Sequence, residues 1–475
     1  RGDLMSQRPR AGPMDIYPLL PQTNCGDCGE ANCMAFSTKL AEYTIELSAC
    51  KPLFEEEKYA KKLAKLEELM RPPVKEVIIG TGEHQVKVGG ELVLFRHDLR
   101  YLHPPAFFID VPDTASPDIM EKRVKDIEAW TYIYIGMSLR LNGIALRCVS
   151  GNPATFAKAA QRLGKLTDWP IILCSFNPKA LAAGLEVIGS KRPLIYAATK
   201  ETWNELGKLA IKHKCPLAVY SPGNLDDLKS LATTLDQMGI DVVLDPGNEF
   251  GPALGATVDD FSMLRRAAIR ERDLGVGFPL MATPISVWGD YKEGEAPELA
   301  KWQETLAAAA LITRYSDIVV FHSLDMWVQL PLTFLKTNIY TDPVKPVAVE
   351  AGLRVMGNPT SESPVMYTSN FALTYFTVES DIKQGGIDCW LIVVDTEGLS
   401  IQSSVAGRKL TADKIAEAIK KYKVEEKVSH RILISPGMAA RLSGETEEAS
   451  GWTVKVGPKD SSGIPQYIRD GLWKE

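Results

Sequence analysis

FFIDV (107–111), IALRCV (144–149), IILCSF (171–176), LIYAAT (194–199), LAVYS (217–221), VVLDP (242–246), LMATP (280–284) and IVVFHS (318–323) are eight short β-rich runs. Between them lie segments whose apolar residues recur at helical spacing, such as NPATFAKAAQRLGKL, TKETWNELGKLAIKHK and NLDDLKSLATTLDQMG. Eight strand-and-helix units in succession predict a TIM (β/α)8 barrel over 105–328. Polar residues stand at the strand ends: Asp110, Asp113, Ser150, Asn152, Ser175, Asn177, Thr199, Ser221, Asn224, Asp245, Asn248 and Thr283. Most are expected to cap the helices that follow, as Ser, Asp and Asn do at such junctions. A small-molecule site or a subunit contact is the other reading of this face.

Beyond the barrel, 329–475 reads as a second α/β domain. IDCWLIVVDTEG (387–398), HRILISPG (430–437) and WTVKVGP (452–458) are strand-then-loop segments, with helices expected in TADKIAEAIKKY and MAARLSGETEEA. That alternation predicts an open, doubly wound, Rossmann-like sheet. Its strand-end loops are rich in Gly, Ser and Thr, which leaves backbone amides free for phosphate or amide groups of a large ligand. No G-x-G-x-x-G fingerprint and no Walker lysine is present, so a nucleotide is a poor fit and another large cofactor a better one.

Ahead of the barrel, VKEVIIGTGEHQVKVGGELVLF alternates apolar and polar residues around glycines and predicts a hairpin lid. KPLFEEEKYAKKLAKLEELMRPP before it has the composition of a charged linker helix, so 59–104 is taken as linker and hairpin. Residues 1–58 then form a metal module. In it Cys25, Cys28, Cys33 and Cys50 follow the spacing C-x2-C-x4-C-x16-C. Four thiolates suit an iron-sulfur cluster or structural zinc, and zinc ribbons usually show two separated C-x-x-C knuckles. A compact triplet with one remote ligand favours a [4Fe-4S] cluster, with Gly26 and Gly29 turning amides toward sulfur.

The 475 residues carry a formal net charge of −6, with 45% hydrophobic and 24% charged residues. That balance excludes disorder and a polybasic surface for nucleic acid or membrane. No apolar run reaches the roughly 18 to 20 residues of a membrane span, and a cytoplasmic protein is expected. Cys148, Cys174, Cys215 and Cys389 read as ordinary buried thiols.

Three stretches together, LPQTNCGDCGEANCMAFSTKLA with Cys50, TSNFALTYFTVESDI (368–382) and SPGMAARLSGETEEASGWTVKVGPKDSSGIP (435–465), resemble the large, gamma-type subunit of the corrinoid iron-sulfur protein. That family serves the acetyl-CoA (Wood-Ljungdahl) pathway and the acetyl-CoA decarbonylase/synthase complex. The resemblance implies a cobamide-dependent methyl carrier, an auxiliary component of methyl transfer rather than a stand-alone enzyme. The methyl group would come from a methyl-pterin through a methyltransferase and go to acetyl-CoA synthase/CO dehydrogenase. The [4Fe-4S] cluster, fed by a donor such as ferredoxin, would return inactive Co(II) to Co(I). A smaller TIM-barrel subunit would complete a heterodimer.

By the same resemblance Thr374 lies beneath the cobalt, with Ser369, Asn370 and Phe371 on its loop. Gly398, Ser435, Gly437, Met438, Ala439, Gly444, Gly457 and Pro458 would hold the nucleotide tail and the corrin amides. None of the six histidines lies in a D-x-H-x-x-G motif, and His430 sits in SHRILI, so a base-off corrinoid without a histidine ligand is expected. Two other readings compete. One is a methyl-pterin-dependent methyltransferase using VVLDPGNEFG (242–251), and the other is an electron-transfer subunit without corrinoid.

Overall fold

The computed structural model describes residues 11–289, 291–292, 296–343 and 346–474. It divides into two units: one comprises 1–130 and 140–340, the other 131–139 and 341–475.

The first unit begins with a small helical module. Ile16, Leu20, Phe36, Leu40 and Leu53 form its core together with Cys33, Cys50 and Leu66. Leu66 belongs to the helix Ala60–Met70. With Leu63 and Met70 it makes an i, i+3, i+7 stripe against that core, so the helix expected as a linker is packed into the module.

A two-stranded hairpin follows, β1 (Glu76–Ile79) antiparallel to β2 (Val86–Gly89). Its Val77, Ile79 and Val88 are buried with barrel-interior residues such as Phe108, Ile172 and Val243. Backbone bonds from Lys75 to Gly277 and from Gly80 to Arg192 tie it to segments that lead into barrel strands. The hairpin therefore plugs the N-terminal end of the barrel.

The barrel opens with β3 (Ala106–Pro112). Between the first helix and the second barrel strand the chain makes an excursion, the hairpin β4 (Thr131–Tyr134) and β5 (Met137–Arg140). The barrel resumes with β6 (Gly143–Arg147), β7 (Ile171–Cys174), β8 (Leu194–Ala198), β9 (Leu217–Tyr220), β10 (Val242–Asp245), β11 (Met281–Ala282) and β12 (Ile318–Phe321). The order β10-β9-β8-β7-β6-β3-β12-β11 is parallel throughout, and a parallel bridge between Leu244 and Leu280 brings the two ends together. All eight runs read from the sequence are its strands. Phe107, Ile109 and Val111 face the helices while Ala106 and Phe108 face the interior, the period-2 alternation of a strand.

The helix Met326–Tyr340 closes the barrel, its Val328 and Leu332 lying in the core between strands and helices. The boundary expected at 329 thus falls inside the last barrel helix, and the C-terminal unit starts at 341. The excursion 131–139 clusters with that unit. Gly136, at φ +71, approaches the Phe376 ring so closely that any Cβ there would clash.

The C-terminal unit is a five-stranded sheet in the order β13-β15-β14-β16-β17, comprising β13 (Gly352–Met356), β14 (Val365–Ser369), β15 (Cys389–Val394), β16 (Ile432–Ser435) and β17 (Thr453–Val456). Only β13 runs antiparallel; the other four strands run parallel. Along β15, Ile392 and Val394 join one core while Leu391 and Val393 join the other, so helices cover both faces. The chain leaves β14 toward β15 over one face and returns over the other to β16. That reversal is a topological switch point, where open α/β sheets bind ligands beyond their strand ends.

A buried charge cluster lies beside the start of β12. Arg265 and Asp317 pair at 2.6 Å, each 1% exposed. Nearby, burial and the Asp317 charge push the Glu91 carboxyl up to about 8. A carboxyl raised on folding binds its proton more tightly in the native state, so stability falls as pH rises from about 4.5 to 8. Glu91→Gln should remove that slope and gain about 4 kcal/mol relative to wild type at pH 8 and above. Thermal melts of both proteins at pH 5, 6.5 and 8 read the difference.

Candidate functional site

The cysteine module builds its site from one loop and two helix starts. Gly26 and Gly29 take left-handed φ values of +80 and +83, and the Gly29 amide donates to the Gly26 carbonyl at 2.8 Å. Asn32 caps the helix Cys33–Ala41 by accepting from the Ala35 amide. The Cys33 amide donates to Asn24 Oδ1 at 2.9 Å. Cys33 and Cys50 are buried, Cys28 is half-buried and Cys25 is exposed. All four line one small cavity with Thr23, Asn24, Gly26, Asn32, Phe36 and Pro52. Burial raises the Cys50 thiol above its ordinary pKa, and the neighbouring thiolates at Cys33, Cys28 and Cys25 add to the rise. Four thiolates formed at one cavity would repel one another, so the cavity suits a positively charged centre, and the donor set is that of an Fe-S centre. No three His, Cys, Asp or Glu side chains among the described residues are placed to hold a single metal ion.

At the switch point of the C-terminal sheet lies a cavity of about 340 Å³, within the range of small-molecule sites. Five of the residues singled out in the sequence line it: Thr374, Ser435, Met438, Gly457 and Pro458. Thr374 sits in the first turn of the helix Ala372–Gln384, which follows β14 directly. Ser435 ends β16 and shares a hydrogen bond of 2.8 Å with the Tyr367 hydroxyl. Burial raises the Tyr367 phenol to about 12, keeping it neutral. Thr368 also lines the cavity, and its buried hydroxyl has no hydrogen-bond partner among the described residues.

Other residues of the set lie outside the cavity lining. Asn370 is spent internally: its Oδ1 accepts from the Thr396 amide, the Thr396 hydroxyl and the Gly398 amide, and its Nδ2 donates to Asp395. It fastens the loop after β15, and Gly398 takes φ +76 there. Phe371 pairs by a backbone bridge with Ala348. Ser369 is fully buried, and Ala439 belongs to the core under the sheet. Gly444 is exposed within the helix Ser443–Ser450. Gly437 stands beside the cavity, where a Cβ would meet the Lys459 amide and the Gly457 carbonyl. His430 bonds the Ser363 carbonyl at 3.0 Å, and no histidine lines the cavity.

Thr377, Gln402, Lys459 and Ser461 also line the cavity and were not singled out. Thr377 follows Thr374 by three residues on a helix, so the periodicity pointed to it. Gln402 carried no comparable signal.

At the barrel's C-terminal end the strand-end residues are mostly engaged with one another. Asn152, Asn177 and Asn224 cap helices, as expected. Asp110 is held by Arg123, Arg147 and His322. Asp245, raised to about 7 by burial, accepts from the Tyr196 hydroxyl, the Gly247 amide and Asn248.

Two family models match the chain. One, described as CO dehydrogenase/acetyl-CoA synthase delta subunit, covers residues 76–468, and another, describing an Fe-S cluster, covers 20–52. Together they define an α/β barrel protein with an N-terminal iron-sulfur module that serves as part of an enzyme complex. The chain is 45% identical over 461 residues to acetyl-CoA decarbonylase/synthase complex subunit gamma of Methanosarcina acetivorans, covering 96% of this chain and 97% of that one. It is 44% identical to subunit gamma 1 of Methanosarcina thermophila and 43% identical to subunit gamma of Archaeoglobus fulgidus, each with the same 96% and 97% coverage. The delta description and the gamma relatives differ, and matches across both full lengths decide: the chain belongs to the family of acetyl-CoA decarbonylase/synthase complex gamma subunits. No helix among the described residues is long and apolar enough to cross a membrane.

Proposed function

We propose that this chain is the corrinoid methyl carrier of its complex. A bound cobamide would supply a low-valent cobalt that takes a methyl group from a methyl-pterin and yields it to acetyl-CoA synthase, while a [4Fe-4S] cluster would supply single electrons to restore the cobalt. The observation that carries the reading is the switch-point cavity, lined by apolar side chains and neutral hydroxyls with Lys459 and Asp460 beside them, and free of histidine.

The chain's own residues set the conditions. The cavity suits the nucleotide tail of a cobamide rather than the whole macrocycle. Thr368 offers a buried hydroxyl that needs a partner, and Gly457 and Pro458 present backbone at the cavity wall. Thr374 would bring a neutral, weakly ligating side chain to the cofactor, which would favour its base-off form. Cys25, Cys28, Cys33 and Cys50 would hold the cluster. Partners in this reading are a smaller barrel subunit, the methyl-pterin methyltransferase, acetyl-CoA synthase/CO dehydrogenase and a ferredoxin-type donor.

Thr374→His tests whether the side chain at this position has to be one that ligates weakly. The variant is expected to show nitrogen superhyperfine splitting in the EPR spectrum of Co(II) and a lower Co(II)/Co(I) midpoint potential. An unchanged spectrum in a cobalt-loaded variant would remove Thr374 from the metal's neighbourhood.

A further inference from the structure

The strand alternation carries on from the barrel core to its C-terminal rim. Phe108, Ala145, Ala218, Val243 and Val320 face the interior, so Asp110, Arg147, Tyr220, Asp245 and His322, each two residues further on, form the topmost inward layer. The C-terminal rim is where barrels of this kind bind their ligands. Neither the cysteine module nor the switch-point cavity uses it.

One side of the rim is cationic. Asp110 is fully buried and receives Arg123 at 3.0 Å, Arg147 at 2.9 Å and His322 Nδ1 at 2.7 Å. Burial pushes its carboxyl up, but His322 and the two guanidinium groups outweigh that and hold it below the usual carboxylate range. An ionised carboxylate only accepts, so His322 donates through Nδ1, and its Nε2 is left for other partners on a ring 35% exposed. Arg123 is used up on the Asp110 carboxylate and the Asp110 and His322 carbonyls. Arg147 gives Nε and Nη2 to Asp110, which leaves Nη1 on a side chain 45% exposed. The other carboxylates here turn to the backbone, Asp113 to the Val149 and Ser150 amides and Glu304 to those of His322 and Ser323.

The next side is aromatic. Phe176, Tyr196 and Tyr220, from β7 to β9 and the loop after β7, gather with ring centroids 5.2 to 6.3 Å apart. Phe176 is 53% exposed. Arg147 pairs in register with Cys174, two residues before Phe176, so the guanidinium and the exposed ring belong to adjacent strands. The third side is closed: Asn248 and Thr283 bond each other twice, and Asn248 also bonds the buried Asp245.

We propose that this rim binds a small aromatic anion, its carboxylate or phosphate on Arg147 and His322 and its ring against Phe176 and Tyr220. A guanidinium edge takes such an oxyanion with directional, charge-assisted bonds, and aromatic rings take a flat ligand by offset stacking. Asp110 acts as the positioning residue that fixes both anion-binding groups. The rim lies in the first unit and the switch-point cavity in the second, so the inference stands apart from the corrinoid reading.

The test is isothermal titration calorimetry of the full-length chain with phenyl phosphate, benzoate, inorganic phosphate and benzylamine. Phenyl phosphate or benzoate is expected to bind at least about tenfold more tightly than inorganic phosphate, and benzylamine not at all; which of the two binds tells phosphate from carboxylate. Arg147→Gln should weaken the aromatic anion at least about tenfold. Phe176→Ala, at an exposed position where folding is safe, should weaken it at least about fivefold and leave inorganic phosphate within about twofold. The proposal is overturned if neither aromatic anion binds below about 10 mM, if benzylamine binds as well, or if either folded variant binds the aromatic anion as wild type does. Cobalt content of the same samples reads the corrinoid proposal separately, so either can fail alone.

Discussion

Replacing Thr377 by tryptophan is expected to abolish cobamide binding, lowering cobalt content at least tenfold after anaerobic reconstitution, while iron stays at about four per chain. Thr377 is exposed on the helix Ala372–Gln384 and lines the switch-point cavity. An indole placed there takes up much of a volume of about 340 Å³. Because the position faces solvent and makes one local bond, to the Leu373 carbonyl, folding should change by less than about 1 kcal/mol. Cobalt and iron analysis beside a thermal melt separates loss of the site from loss of the fold. Normal cobalt content in the folded variant would place the cofactor elsewhere.

Cys33→Ala should divide the two capacities proposed for the protein. Cys33 is a buried member of the four-thiol cavity and heads the helix Cys33–Ala41, so its loss would remove one of the four proposed cluster ligands and leave the Asn32 cap in place. Reactivation of Co(II) by a reduced ferredoxin-type donor is expected to fall by a factor of 100 or more. Methyl transfer from chemically pre-reduced protein should stay within about twofold of wild type. Stopped-flow absorbance of Co(II) loss and a single-turnover methyl-transfer assay read the two separately. Loss of methyl transfer in a folded, cobalt-loaded Cys33→Ala would mean that the cluster does more than restore the cobalt.

The barrel was legible because each strand is a short, nearly continuous apolar run, and runs such as VVLD and IVVF are bounded by turn residues. Two strands of the C-terminal sheet were not. β13 mixes Arg354 with exposed Val355 at the sheet edge, and β14, VMYTS, ends in polar residues that read as loop. The helix Ala60–Met70 looked like a linker because charged residues are dense along it, yet Leu66, with Leu63 and Met70, anchors it. The excursion 131–139 left no trace in the strand rhythm, since its Thr, Tyr and Ile residues fit either a strand or the end of a helix.

At the candidate site, chemistry was easier to read than role. The cysteine spacing pointed to its cavity directly, because four soft ligands within 26 residues have few other uses. Gly, Ser and Asn at strand ends were ambiguous. Ser435 and Gly457 reach the cavity, whereas Asn370 and Gly398 shape a neighbouring loop through hydrogen bonds between residues 28 positions apart. Such long-range pairing leaves no local pattern.

The most direct test of the central claim is anaerobic ultraviolet-visible and EPR spectroscopy of the reconstituted full chain, with cobalt and iron quantified. A carrier of the kind proposed gives a base-off Co(II) signal, about one cobalt and about four irons per chain. Absence of cobalt after anaerobic reconstitution with cobamide, in a protein that has taken up its iron, would contradict it.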